Sequence, residues 1–253
     1  MAVVNTSFEE MFGKIESVPP MPIVQESIIV IEEGADFKKG GEHPIVILCI
    51  DTSGSMRFTD SASGESRIDL VKKYAKDFVN TDVISPVDKE KVELCVITFD
   101  DKVTIYKDFA PMSEISDDFS ALRANGYRAT YSALVVAVMQ ARKRRNLLSA
   151  SGIPCYKPII FLLSDGHPEQ DDEMRESCRK VLHQYVDKDE NGKAKMRLFI
   201  CGMGQCDMQE MNALCDDKQI IGLADTDALK EAFQLMNTSV ADFYAAHTVE
   251  IDW

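Results

Sequence analysis

The sequence predicts an α/β protein, a three-layer sandwich whose central sheet is mostly parallel, with one antiparallel edge strand and helices on both faces. Three observations predict it. Short β-branched runs alternate with stretches of helical period, and that alternation places strands side by side beneath crossover helices. One link between consecutive runs is only "DDK", residues 100–102, too short for a parallel crossover. One helical stretch, 132–141 (SALVVAVMQA), is apolar nearly all round, the signature of a helix covered by other elements.

The first strand is expected at 45–50 (IVILCI) and the second at 92–99 (VELCVITF), with 103–106 (VTIY) turning back beside it as the antiparallel edge. Further strands follow at 159–163 (IIFLL), 197–201 (RLFIC) and 219–223 (QIIGL). Between them Ile68, Val71, Ala75, Phe78 and Val79 fall on one helical face, as do Met174, Cys178, Val181, Leu182 and Tyr185. Leu229, Phe233, Met236, Val240 and Phe243 form a third such face. The first 43 residues stand apart as an extension. Ser7 and Glu10 make a capping box there, and Phe8, Met11, Phe12 and Ile15 form an apolar face expected to pack back on the domain that fills 44–253.

Composition narrows the function. Among 253 residues, 28 Lys and Arg stand against 42 Asp and Glu, a formal charge of −14 that repels phosphate backbones, so nucleic acid is not expected as a partner. The N-terminus lacks a basic segment followed by an apolar core, and no apolar run approaches the roughly 18 residues a membrane span needs. Seven cysteines are spread without a Cys-x-x-Cys pair, and Cys49, Cys95 and Cys178 sit at core positions. A cytoplasmic, reducing location without membrane attachment is expected.

The chemistry gathers where the strands end. Asp51, Ser53 and Ser55 follow the first strand, Thr130 opens the buried helix, and Asp165 follows the 159–163 strand in "FLLSDG". In a parallel sheet these carboxyl-end loops form the ligand site, so three loops bring oxygen atoms to one edge. Gly54 lets the backbone bend tightly between the two serines. Hydroxyls with few carboxylates suit a hard divalent cation such as Mg²⁺ or Mn²⁺.

This constellation resembles the metal-ion-dependent adhesion site of von Willebrand factor type A domains, a Rossmann-like fold, over about residues 44 to 245. "CVITFDD" and "KPIIFLLSDGHPEQD" look most like the bacterial intracellular branch with the tellurite-resistance-associated TerY proteins. The resemblance implies that Ser53, Ser55 and Thr130 ligate the ion while Asp51 and Asp165 act directly or through water. It also implies that a Glu or Asp of another protein completes the coordination, which makes the chain a binding module and not an enzyme, monomeric on its own. Gly54, Met56, Tyr127, Arg128, His167 and Glu169 are the expected partner-facing residues. The chain departs from the family at Tyr127-Arg128-Ala129-Thr130, where small glycines are common; the cationic residue there would either favour an acidic partner or tilt Thr130 out of reach.

The alternative is a phosphohydrolase. An aspartate after the first strand is also similar to the nucleophile of the haloacid-dehalogenase enzymes, but the acid expected two residues later is Ser53 here. There is no Gly-x-Ser-x-Gly elbow, and His43, His167, His183 and His247 have no evident nucleophile partner. Gly202 and Gly204 lack the third glycine of a dinucleotide loop. Asp187 to Gly192 copies half of a calcium loop, yet the twelfth position is Leu198, so the segment reads as a solvated turn. Arg142-Lys143-Arg144-Arg145 reads as the solvated C-terminal end of the buried helix.

Overall fold

The computed structural model describes residues 43–60, 63–116, 119–169, 171–204, 206–223 and 226–245. The expected N-terminal helix and its apolar face, and the Phe243 side chain, lie outside the described residues. Among the described residues six strands form one sheet: β1 (Ile45–Asp51), β2 (Glu93–Phe99), β3 (Val103–Pro111), β4 (Ile159–Ser164), β5 (Arg197–Met203) and β6 (Gln219–Leu223). Their order is β3-β2-β1-β4-β5-β6, parallel throughout except for the antiparallel pair β2–β3. The sheet is therefore the expected one. β3 runs to Pro111, well past the predicted Tyr106. Lys107 and Asp108 break the apolar pattern there, as charged residues commonly do on an edge strand.

The helices are α1 (Arg67–Val79), α2 (Pro86–Lys89), α3 (Thr130–Ala150), α4 (Asp172–Tyr185), α5 (Met208–Asn212) and α6 (Thr226–Ala245). Alternation along β1 divides the core into two layers. Val46, Leu48 and Ile50 face α1 and α6 with Val71, Phe78, Phe233 and Met236, whereas Ile47 and Cys49 face α3 and α4 with Leu134, Val138, Cys178 and Leu182. Each such side chain, fully buried, stabilises the fold by about 1.5–3 kcal/mol relative to exposure. Phe78 and Tyr74 of α1 pack on Phe233 of α6, with ring centroids 6.2 and 6.1 Å apart.

The buried helix is longer than expected. It runs to Ala150, and Gly152 ends it in the left-handed conformation at φ 72°. The run Arg142 to Arg145 thus lies inside α3 and not at its end, which corrects the reading of a solvated terminus. Arg144 reaches back to the buried Glu93 at the start of β2, with Nη2 at 2.6 Å and Nε at 3.2 Å from Oε2. His43 meets the other oxygen of Glu93 at 3.3 Å. Arg142 lies 5.9 Å from the Tyr185 ring centroid. The calcium-like loop is a turn, in which Asp189 accepts the Asn191 and Lys193 N–H groups at 2.9 Å each, and Leu198 belongs to β5.

β1 has β2 on one side and β4 on the other, so strand order reverses there. The chain leaves β1 towards α1 on one face of the sheet and leaves β4 towards α4 on the other, and such a switch point is where ligands bind in open α/β sheets.

Candidate metal centre

β1 is buried along its whole length and ends in a buried carboxylate, Asp51. Asp51 Oδ1 accepts the Ser53 N–H at 2.8 Å, an Asx turn that folds the chain back at once. Oδ2 accepts the Ser164 hydroxyl at 2.6 Å, tying the β1 loop to the end of β4. Ser53 sits at the N-cap of the 3₁₀ turn Gly54–Arg57 but makes no capping bond with its side chain. Its hydroxyl instead lies 3.2 Å from that of Ser55, and Ser55 donates to Asp165 Oδ1 at 2.5 Å. Asp51, Ser53, Ser55 and Asp165 therefore meet at one point, as expected.

Thr130 is brought to the same edge by backbone stitching. The Asn125 N–H donates to the Thr52 carbonyl at 2.7 Å, and the Gly54 N–H to the Gly126 carbonyl at 3.0 Å. Glu169, from the loop after β4, then caps α3 from outside: its carboxylate accepts the Thr130 N–H at 2.6 Å and the Tyr131 N–H at 3.0 Å. Spared from capping, the Thr130 hydroxyl is buried and has no hydrogen-bond partner.

Two guanidiniums converge on these oxygens. Arg128 donates from Nε to Ser53 Oγ at 3.3 Å, from Nη2 to Ser55 Oγ and to Asp165 Oδ1 at 3.4 Å, and from Nη1 to the His167 carbonyl at 2.9 Å. Its Nε is also 3.7 Å from Asp51 Oδ2. Arg67, the first residue of α1, holds Asp165 Oδ2 at 2.7 Å. Both approaches depend on glycine. A Cβ on Gly166 would collide with the Arg128 guanidinium, and one on Gly204 with that of Arg67.

Burial pushes the Asp51 carboxyl above its ordinary range; hydrogen bonds from Ser164 and Ser53 oppose the shift, and the neighbouring Asp165 charge adds to it. Burial likewise raises Glu169, against the N–H groups that stabilise its charged form. Burial also pushes the thiols of Cys201, Cys206 and Cys215 up to about 12, so none of them is a thiolate nucleophile at neutral pH.

The donor set fits a hard cation. Two serine hydroxyls and two buried carboxylates lie together, and the buried Thr130 hydroxyl, just beyond the loop stitched to theirs, is without a partner. The expected rim is arranged otherwise. Met56 is fully buried in the core and offers no partner-facing surface. Glu169 is turned to α3 rather than outward. Gly54 is partly exposed, and Tyr127 stands out at 85% exposure with its N–H on Asp101 Oδ1 at 2.8 Å. His167 is exposed and its Nδ1 meets Asp207 Oδ2 at 3.1 Å. Sequence reasoning missed Ser164 and Arg67. The first was readable as the hydroxyl beside Asp165 in "LLSDG", whereas no local pattern links Arg67 to a carboxylate 98 positions away.

Solved structures share this fold. A von Willebrand factor type A protein from Catenulispora acidiphila superposes with a TM-score of 0.59 at 15% identity, over 79% of this chain and 43% of that one. The D319A mutant of the PilB minor pilin from Streptococcus sanguinis gives 0.62 at 12% identity, over 83% and 64%. Proximal thread matrix protein 1 from the mussel byssus, solved with zinc in its MIDAS motif, gives 0.53 at 18% identity, over 79% and 46%. The chain thus spans 43% to 64% of the length of these structures. No curated protein matches the sequence, and no helix among the described residues is long and apolar enough to cross a membrane. The model of the von Willebrand factor type A domain matches residues 46–235, and the chain belongs to that family.

Proposed function

We propose that this chain is a metal-dependent protein-binding module, in which Ser53, Ser55 and Thr130 hold Mg²⁺ or Mn²⁺, backed by Asp51 and Asp165. The observation that carries the reading is the convergence of Ser53 Oγ, Ser55 Oγ and Asp165 Oδ1 beside the buried Asp51, with a buried and unpartnered Thr130 hydroxyl just beyond the loop that is stitched to theirs. When bound, the cation supplies an electrophilic position for a Glu or Asp side chain of another protein. The chain's own residues do the rest. Asp51 fixes the Ser53 turn, Glu169 aims Thr130 by capping α3, and Arg67 neutralises the far side of Asp165.

With −14 on the chain, long-range attraction for an acidic partner is absent, so affinity comes from short-range contact at the site. A TerY-like, tellurite-resistance-associated complex in the cytoplasm is the setting that the "CVITFDD" and "FLLSDGHPEQD" segments favour. Seven thiols, none in a disulfide, support a reducing compartment. Hydrolysis with Asp51 as nucleophile has less support, because both Asp51 oxygens accept hydrogen bonds and Ser53 stands where a proton donor is needed.

The test is capture of partners from the reducing cell fraction on the immobilised chain, in Mg²⁺ and in EDTA, repeated with Asp51→Ala. The proposal expects an acidic partner retained in Mg²⁺ and lost both in EDTA and with the variant. Equal retention in chelator contradicts it.

A further inference from the structure

We propose that Arg128 is a resident counter-cation, its guanidinium holding the metal position until a divalent ion displaces it. The inference rests on the metal-binding reading above and adds a competitor built into the same loop. Its basis is the guanidinium's full set of contacts. It meets Ser53 Oγ and Ser55 Oγ, two of the three hydroxyls expected on the ion, together with Asp165 Oδ1, and it approaches Asp51 Oδ2. Four of the five site residues are thus engaged by one side chain that is itself only 20% exposed.

The two occupants exclude each other. Ser55 Oγ already donates to Asp165 and accepts from Arg128, and a Mg²⁺ ion would lie about 2.1 Å from that same oxygen. An N–H directed at the oxygen would then point into the ion, and the two positive charges would repel at contact distance. Electrostatics also explains why the arginine turns inward at all. Asp51 and Asp165 are both buried, and Arg67 reaches only Asp165 Oδ2, so the remaining charge needs a cation close by.

The guanidinium is an incomplete substitute. It is planar and sits at the Ser53, Ser55 and Asp165 side, and the Thr130 hydroxyl stays unpartnered although Arg128 is two residues away. An ion held by Thr130 as well, as proposed above, would engage an oxygen that the guanidinium does not, and this difference favours exchange. The fold makes room for the arginine specifically, since Gly166 lacks the Cβ that would collide with the guanidinium. Arg128 therefore lowers apparent metal affinity by the fraction of time it holds the site, and it sets the metal concentration at which the module becomes competent.

The experiment titrates Mn²⁺ calorimetrically into the metal-stripped chain, comparing wild type, Arg128→Gln and Gly166→Ala, and records melting in chelator. Gly166→Ala leaves the arginine in the sequence but evicts its flexible end. Both variants are expected to bind Mn²⁺ at least about tenfold tighter than wild type, the factor for a site that is free about one tenth of the time. Arg128→Gln is also expected to melt lower than wild type in chelator, because the buried carboxylates lose their counter-charge. Equal affinity in all three chains, or weaker binding in Arg128→Gln, overturns the competition while leaving the metal site standing. Absence of Mn²⁺ binding in all three overturns both this inference and the reading beneath it.

Discussion

A hydroxyl without exposed surface or partner, as at Thr130, costs about 1–3 kcal/mol relative to one that is satisfied. Replacement by an isosteric apolar residue therefore separates stability from function. Thr130→Val is expected to raise chelator-state stability by about 1 kcal/mol, measured by denaturant melts, and to abolish the stabilisation that Mg²⁺ gives the wild type. A variant that loses stability in chelator would mean that the hydroxyl has a structural partner. At this scale the sequence was informative about the oxygen atoms but placed Arg128 on a partner-facing rim, and it gave no sign of Arg67. Asp51, Ser53 and Ser55 declare themselves because a tight turn after an apolar strand has no core use for three polar side chains. The inward turn of Arg128 depends on the charge of Asp165, 37 positions away, and on a missing Cβ at Gly166, neither of which leaves a local pattern.

The helix that presents Thr130 is positioned by two carboxylates, the partly buried Glu169 at its start and the buried Glu93 against its interior. Glu169 caps its first turn, and Arg144 near its far end holds Glu93 of β2. Glu169→Ala is expected to cost about 1–2 kcal/mol as a lost cap and to weaken Mg²⁺ binding as Thr130 shifts; a stability loss with unchanged metal affinity would confine Glu169 to capping. Arg144→Ala leaves Glu93 buried with its charge largely uncompensated, so a loss of about 3 kcal/mol or more is expected in denaturant melts, recovered in part by adding Glu93→Gln. A change within a few tenths of a kcal/mol would show that the pair is dispensable. Elements were legible where the hydrophobic period was clean. β1, β2 and β4 begin and end within a residue or so of their β-branched runs. β3 and α3 were read too short because charged residues interrupt their apolar pattern, Lys107 and Asp108 on an edge strand and Arg142 to Arg145 inside a long helix.

Across the whole molecule, carboxyl groups withdrawn from water at the site make its behaviour pH-dependent. Asp51 and Glu169 have folded pKa values raised by burial above their ordinary 3.8 and 4.5. The folded state thus holds these protons more tightly than the unfolded one. Their stabilising contribution to the metal-free fold is full below the ordinary values and is lost as pH rises through the raised ones. Metal binding needs the ionised Asp51, so the stabilisation given by Mg²⁺ is expected to grow as pH rises through the raised Asp51 titration range, read as the difference in melting temperature with and without the ion. A difference that stays constant over that range would separate Asp51 from the ion. Fold class was legible at this scale because one short link and one all-apolar helix leave few topologies open. The most direct measurement is anomalous diffraction from crystals of this chain soaked in MnCl₂. A Mn²⁺ peak bounded by the oxygens of Ser53, Ser55 and Thr130, with the Arg128 guanidinium moved away, is the expected result; no peak there, with Arg128 still on Ser53 and Ser55, would contradict the metal site.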